Sequence, residues 1–194
     1  MSQRRLLLSS ILAGGLAMAG CSPQENASTA KSSTKRSPSV DILAAEAKGF
    51  TVGAMMGVNP VYVMFDAQCP HCAHLWQASI PLQKKAKFIW IPVGLLNAAS
   101  SSQGAALLSA ADPTQSMTEH ESSMRAGTGG ISASASVTPA MEAALKANTR
   151  LFNDLGVESV PFIIARNART GLTVTNSGAM GTEALAALIG VDPP

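Results

Sequence analysis

The spacing of apolar residues changes several times along the chain, and each change marks an element. Leu6 to Ala19 is a nearly unbroken apolar run, and Ser22 to Ser39 carries almost no apolar residue. From Val40 the pattern becomes that of a folded domain. Val40 to Lys48 has the spacing of a short amphipathic helix stopped by Gly49, and Phe50 to Met55 predicts a strand turned by Gly57-Val58-Asn59-Pro60. Val61 to Phe65 is a continuous apolar strand, followed by a helix opening at Pro70 that Pro81 kinks or ends. Phe88 to Val93 predicts another strand. Gln103 to Ala111 and Thr114 to Arg125 predict helices separated by Asp112-Pro113, and Ala126 to Ser136 is a Gly/Ser-rich loop. Thr138-Pro139 suits the cap and first turn of a helix that places Met141, Leu145, Phe152 and Leu155 on one face and ends at Gly156. Phe162 to Ala165 and Leu172 to Thr175 predict a hairpin, and Thr182 to Ile189 a last helix closed by Gly190.

The first run is too short to span a bilayer comfortably. With Arg4 and Arg5 ahead of it, residues 1–20 read as a secretory signal peptide. Ala17-Met18-Ala19 fits cleavage after Ala19, while Met18-Ala19-Gly20-Cys21 resembles a lipoprotein box in which Cys21 is lipidated. The chain has three cysteines, and lipid on Cys21 would occupy the one left over once a pair is made, so the lipoprotein reading is preferred. Residues 21–39 read as a flexible tether, too polar to bury a core. Residues 40–194, about 155 in number, suit one domain. The net charge of +2 is small and its cations are scattered, so no nucleic-acid partner is expected. The cluster Lys84, Lys85 and Lys87 reads as a solvated helix end.

Against this background, Cys69-Pro70-His71-Cys72 stands out, because a strand delivers two cysteines to a helix N-terminus. Residues three apart share a helix face, so the two sulfurs can meet. At the helix mouth, unpaired N–H groups and the macrodipole favour a thiolate at Cys69. An ordinary thiol near pKa 8.5 is only about 3% ionised at neutral pH, and sites of this kind fall to roughly 3.5–7.5. Cys69 is therefore assigned as the nucleophile and Cys72, deeper in the helix, as the residue that resolves the mixed disulfide. Pro70 suits the first helical position. His71 either stabilises the thiolate or faces solvent without effect. A metal reading competes, since Cys69, His71, Cys72 and His74 are soft ligands within six residues. The only other histidine is His120 and there is no second cysteine pair, so neither a metal nor any other cofactor is expected. Asp66 either orients the loop, shifts a cysteine pKa, or caps the start of the helix. Trp76 and Trp90 read as packing residues and the nine methionines as soft core filler, with Met55-Met56 or Met64 as alternatives for a substrate groove.

The order strand, helix, strand, helices, strand, strand, helix is that of an α/β, thioredoxin-like fold with a mixed sheet and a helical insertion at about 103–156. In such a fold Val160-Pro161 is a candidate cis bond lying against the cysteine pair and offering backbone groups to a substrate. The alternative is a proline that merely marks a strand edge.

Phe65-Asp66-Ala67-Gln68-Cys69-Pro70-His71-Cys72, with Trp76-Gln77 and Pro81 behind it, resembles the catalytic domain of the periplasmic disulfide isomerases DsbC and DsbG, DsbG more closely. The likeness continues through Ala105 to Pro113, Asn153 to Gly156, Val160-Pro161 and Ala184 to Gly190. It implies a thioredoxin fold, a nucleophilic Cys69, a resolving Cys72 and a cis Pro161. Three differences stand beside it. Only some forty residues separate Cys21 from the catalytic core, where those isomerases carry a dimerisation domain. His71 stands where they tend to have Tyr, and Val160 where they tend to have Thr. Pro-His and Val-Pro resemble the disulfide oxidase DsbA instead. The expectation is an exported thiol:disulfide interchange enzyme of the periplasm, leaning toward oxidase, monomeric or weakly associated, and possibly membrane-tethered through Cys21. It would act on exported cysteine-containing proteins and be recycled by a membrane redox partner. The alternatives are a reductase or isomerase of DsbG type, or a non-catalytic chaperone or metal-binding protein.

Overall fold

The computed structural model describes residues 36–132 and 137–194. The signal peptide read over 1–20, Cys21, the tether as far as residue 35 and residues 133–136 of the Gly/Ser-rich loop lie outside the described residues.

The described residues form a five-stranded mixed sheet. In chain order the elements are α1 (Val40–Glu46), β1 (Phe50–Gly53), β2 (Val61–Asp66), α2 (Pro70–Ser79), a 3₁₀ turn (Ile80–Leu82), β3 (Lys87–Val93), α3 (Ala98–Leu108), α4 (Pro113–Arg125), α5 (Pro139–Asp154), β4 (Phe162–Arg166), β5 (Thr173–Ser177) and α6 (Thr182–Ile189). The strand order is β1-β3-β2-β4-β5. β2 and β3 pair in parallel, with α2 as the connection, and the other pairs are antiparallel. Among the described residues no helix is long and apolar enough to cross a membrane.

β2 is buried at every position, which explains why its sequence shows no polar alternation. Its side chains still divide between two cores. Val61, Val63 and Phe65 join Trp76, Trp90, Met117, Leu185 and both cysteines on the face carrying α2, α4 and α6. Tyr62 and Met64 join Leu43 of α1, Leu151 and Phe152 of α5 and Leu155 just after it on the other. Trp76 and Trp90 are fully buried and meet edge to face at a centroid distance of 5.2 Å. Pro81 ends α2 by tightening it into the 3₁₀ turn.

Some boundaries differ from those the pattern predicts. Helix α3 starts at Ala98 instead of Gln103. Asn97 and Ser100 form a reciprocal capping box there, which an apolar-period search does not register in Ala-Ala-Ser-Ser-Ser. Strand β1 stops at Gly53, whose φ of 94° turns the chain before Met55. The end of the predicted tether is docked on the domain. Arg36 pairs with Glu46 at 2.7 Å, its backbone N–H donates to the Asp154 carbonyl, and the Ser39 hydroxyl caps α1.

Candidate active site

The C-terminal end of β2 holds the local machinery that places Cys69. Asp66 is fully buried, and its carboxylate accepts from three backbone N–H groups: Gln68 at 2.8 Å, Leu95 at 2.7 Å and Leu96 at 3.1 Å. Bonds of this kind clamp the β2–α2 loop to the β3–α3 loop. Asp66 does not cap α2, whose cap position is Cys69 itself without a side-chain bond. Gln68 extends the clamp, donating to the Gln103 side chain at 2.5 Å and the Gly129 carbonyl at 3.1 Å. Gln103 donates to the carbonyls of Gly129 and Ile131, both at 2.8 Å.

Cys69 lies at the mouth of α2 and is 5% exposed, while Cys72, one turn inside, is fully buried. Both are free thiols. The environments of the two sulfurs pull their acidities apart. A hydrogen bond from the Cys72 thiol leads in lowering Cys69 to about 6. The backbone amides of Cys72 and His71 and the His71 charge act in the same direction, and burial acts against them. Cys69 is therefore mostly thiolate at pH 7. Burial leads in pushing Cys72 well above the ordinary thiol range, reinforced by its bond to Cys69 and by the charge there. The two sulfurs thus differ in protonation at neutral pH, Cys69 favouring the thiolate and Cys72 the thiol.

Pro70 occupies the first turn of α2, where it removes no helical bond. His71 is exposed beside the pair, its ring 6.1 Å from that of the exposed His74. The Val160–Pro161 peptide bond is cis, and the Val160 carbonyl lies 3.6 Å from the Cys69 sulfur as an acceptor for its thiol form. Cys69, Cys72, His71, Pro70, Val160 and Pro161 therefore gather at one end of the sheet. Leu95 and Leu96 are partly exposed on the loop held by Asp66. Met64 does not line this site: it is fully buried in the opposite core. Met55 and Met56 also lie elsewhere, past the β1 end that pairs with Lys87 at the start of β3, far along the sheet from Asp66. Among the described residues no three His, Cys, Asp or Glu side chains converge as a metal site.

Two residues of α4 escape a sequence-based search. His120 is fully buried, its Nε2–H donates to the Ala67 carbonyl at 2.7 Å, and its Nδ1 accepts from the Ile131 N–H at 3.1 Å. Those two partners define a neutral tautomer, and burial holds its pKa below the usual imidazole value. The ring also explains Gly130, which has a φ of 87° and where a Cβ would come within 2.5 Å of the His120 ring. Glu121, next in the chain, is fully buried as well. The signal available in the sequence is the stripe Met117, His120, Glu121, Met124, whose spacing is that of one helix face.

The chain spans about half the length of the curated relatives it matches. It is 30% identical over 132 residues to the thiol:disulfide interchange protein DsbG of Pseudomonas aeruginosa, a match covering 67% of this chain and 50% of that protein. DsbG of Escherichia coli is 30% identical over 105 residues, covering 53% of this chain and 42% of that one. Solved structures of similar fold include the catalytic domain of Proteus mirabilis ScsC, with a TM-score of 0.58, 18% identity and coverage of 77% of this chain and 95% of that one. A thioredoxin-like oxidoreductase from Silicibacter pomeroyi has a TM-score of 0.60 at 15% identity, covering 78% of this chain and 96% of that one. No protein-family model matches the chain. Its fold is thioredoxin-like, and by sequence it is a relative of the DsbG-type thiol:disulfide interchange proteins.

Proposed function

We propose that the chain is an exported thiol:disulfide oxidoreductase that exchanges disulfides with cysteines of other proteins and leans toward donating them. The observation that carries this is the division between a thiolate-prone Cys69 at the mouth of α2, with a sliver of exposure, and a fully shielded, protonated Cys72 behind it. In the oxidised pair, a substrate thiolate attacks the Cys69 sulfur and Cys72 leaves. A second substrate thiolate then displaces Cys69, which departs readily because its thiolate is stabilised. Stabilising that thiolate stabilises the reduced pair, which makes the disulfide the stronger oxidant. The Val160 carbonyl and Pro161 border the position from which a substrate sulfur approaches. Asp66 acts at one remove, by holding the loops.

Arg4, Arg5 and the apolar run to Ala19 support export to the periplasm, and Met18-Ala19-Gly20-Cys21 supports a lipid anchor. Mass spectrometry of the mature N-terminus tests both. A reductase or isomerase role is the second reading, favoured by the DsbG relatives. Equilibration of the pair with glutathione buffers separates the two. Known potentials run from about −120 mV for a strong disulfide donor to about −270 mV for thioredoxin. Donation requires a value more oxidising than about −200 mV. A more reducing value transfers the site to the second reading.

A further inference from the structure

The helical insertion brings to the cysteine pair one ionisable group that the exchange just described leaves without a task. Glu121 of α4 is fully buried, and among the described residues neither of its carboxyl oxygens has a hydrogen-bond partner. A buried polar group without a partner costs about 1–3 kcal/mol, so its retention calls for an explanation. Its surroundings supply one. Helix α4 packs on α2, and Met117, one turn before Glu121 on the same face, belongs to the core cluster that contains Cys69 and Cys72.

The charged and titratable groups around Glu121 leave Cys72 as the one in need of a proton partner. His120 has both ring nitrogens engaged, by Ala67 and Ile131. Asp66 is saturated by three backbone N–H groups. Arg125, one turn further along α4, is exposed. Cys69 is already an anion over most of the neutral range. Cys72 has no exposure to water, and its thiol must nevertheless lose a proton before it can attack. Burial, followed by the charge on Cys69, pushes the Glu121 carboxyl up to about 8 against the opposing effect of Arg125. Capping Cys69 removes its charge, so the carboxyl ionises more easily at the stage when a base is required.

Building on the exchange reading above, we propose that Glu121 is the internal proton acceptor and donor for Cys72. The Cys69 thiolate attacks a partner disulfide, forming one S–S bond and releasing the other partner sulfur as a thiolate. The Cys72 thiol then passes its proton to the Glu121 carboxylate, directly after a side-chain torsion or through a bridging water. The Cys72 sulfur attacks Cys69, the Cys69–Cys72 bond forms, and the second partner sulfur leaves with the electron pair. Two electrons have moved from the cysteine pair to the partner disulfide, and the proton of Cys72 rests on Glu121. In the donating direction the same steps run backwards, and Glu121 protonates Cys72 as it leaves.

Stopped-flow reaction of the reduced protein with excess Ellman's reagent separates the steps. The first thionitrobenzoate released reports attack by Cys69 and rises with reagent concentration. The second reports resolution by Cys72 and does not. Glu121→Gln is expected to keep the first phase and to slow the second by about 100-fold at pH 7, a defect that narrows as the pH climbs toward ionisation of Cys72 itself. Infrared difference spectra of the unmutated protein before and after alkylation of Cys69 at pH 7 supply a measurement independent of the variant's folding. They should show a partial gain of carboxylate at the expense of the protonated carboxyl, since alkylation removes the Cys69 charge and leaves the burial. A second phase of unaltered rate and pH dependence in folded Glu121→Gln, or no carboxyl response to alkylation, overturns the assignment. Absence of the first phase in the unmutated protein overturns the exchange reading instead.

Discussion

On the face of the sheet covered by α1 and α5, the buried Asn148 has its whole amide engaged. Its carbonyl accepts from the Lys48 N–H at 2.9 Å, and its nitrogen donates to the carbonyls of Lys48 at 2.7 Å and Pro92 at 3.0 Å. On the face covered by α2 and α4, Glu121 is equally buried and has no hydrogen-bond partner among the described residues. The apolar cores on the two sides are alike in kind, with aliphatic and aromatic side chains drawn alternately from the same strands. What differs is how polar groups are treated. The α1/α5 face satisfies its buried amide, while the other, beside the fully bonded His120, also holds a carboxyl without a partner among the described residues and two thiols in a dry setting where each alters the ionisation of the others. A single thin sheet thus separates a packing function from a chemical one.

The strongest way to break this comparison is to remove one residue from each side. Cys69→Ala is expected to abolish exchange with protein or small-molecule disulfides while the fold is retained. Residual exchange in that variant would remove Cys69 from its role. Phe152→Ala on the other face should cost about 3–5 kcal/mol in urea unfolding, as for other large-to-small core changes. Under conditions where it is still folded, the alkylation profile of its Cys69 should match the unmutated protein. A shifted profile would mean that the two faces are not separable.

A smaller effect sharpens the same point. The Glu121 carboxyl is raised from an ordinary value of 4.5 to about 8 by burial first and by the Cys69 charge second. Its contribution to stability is therefore whole below 4.5 and lost as the pH rises through that window to about 8. The stability of the unmutated reduced protein relative to Glu121→Gln should decline with pH there, by at most about 1.4 kcal/mol per pH unit, and level off on either side. Cys69 pulls in the opposite direction. Its lowered pKa contributes stability present above the ordinary thiol value, and that contribution is lost as the pH falls toward and through about 6. Taking the difference between the two proteins isolates Glu121. Stability curves that run parallel from pH 4 to 9 would show that the carboxyl is not perturbed.

These contrasts were unevenly legible in the sequence. The β2–α2 junction was readable because a continuous apolar strand, a Pro at the first helical position and a Cys pair three apart each carry a local signal. Helix α5 was readable for the same reason, from Thr138-Pro139 and the face Met141, Leu145, Phe152. Helix α3 began five residues early because its start is set by Asn97 and Ser100, not by apolar spacing. Glu121 was poorly legible because a Glu is almost never fully buried, so its place in the stripe Met117, His120, Glu121, Met124 is a weak signal by itself. Nor was the relay from Gln68 through Gln103 to Gly129 and Ile131, which joins residues about 30 positions apart and exists only once the insertion has packed on the sheet.

The most direct test of the division between the two sulfurs is the alkylation of each cysteine by iodoacetamide, followed by mass spectrometry from pH 4 to 9. Cys69 should reach half its maximal rate near pH 6, with Cys72 unreactive across the range. A Cys69 midpoint near the ordinary thiol value of about 8.5, or equal reactivity of the two cysteines, would contradict the account.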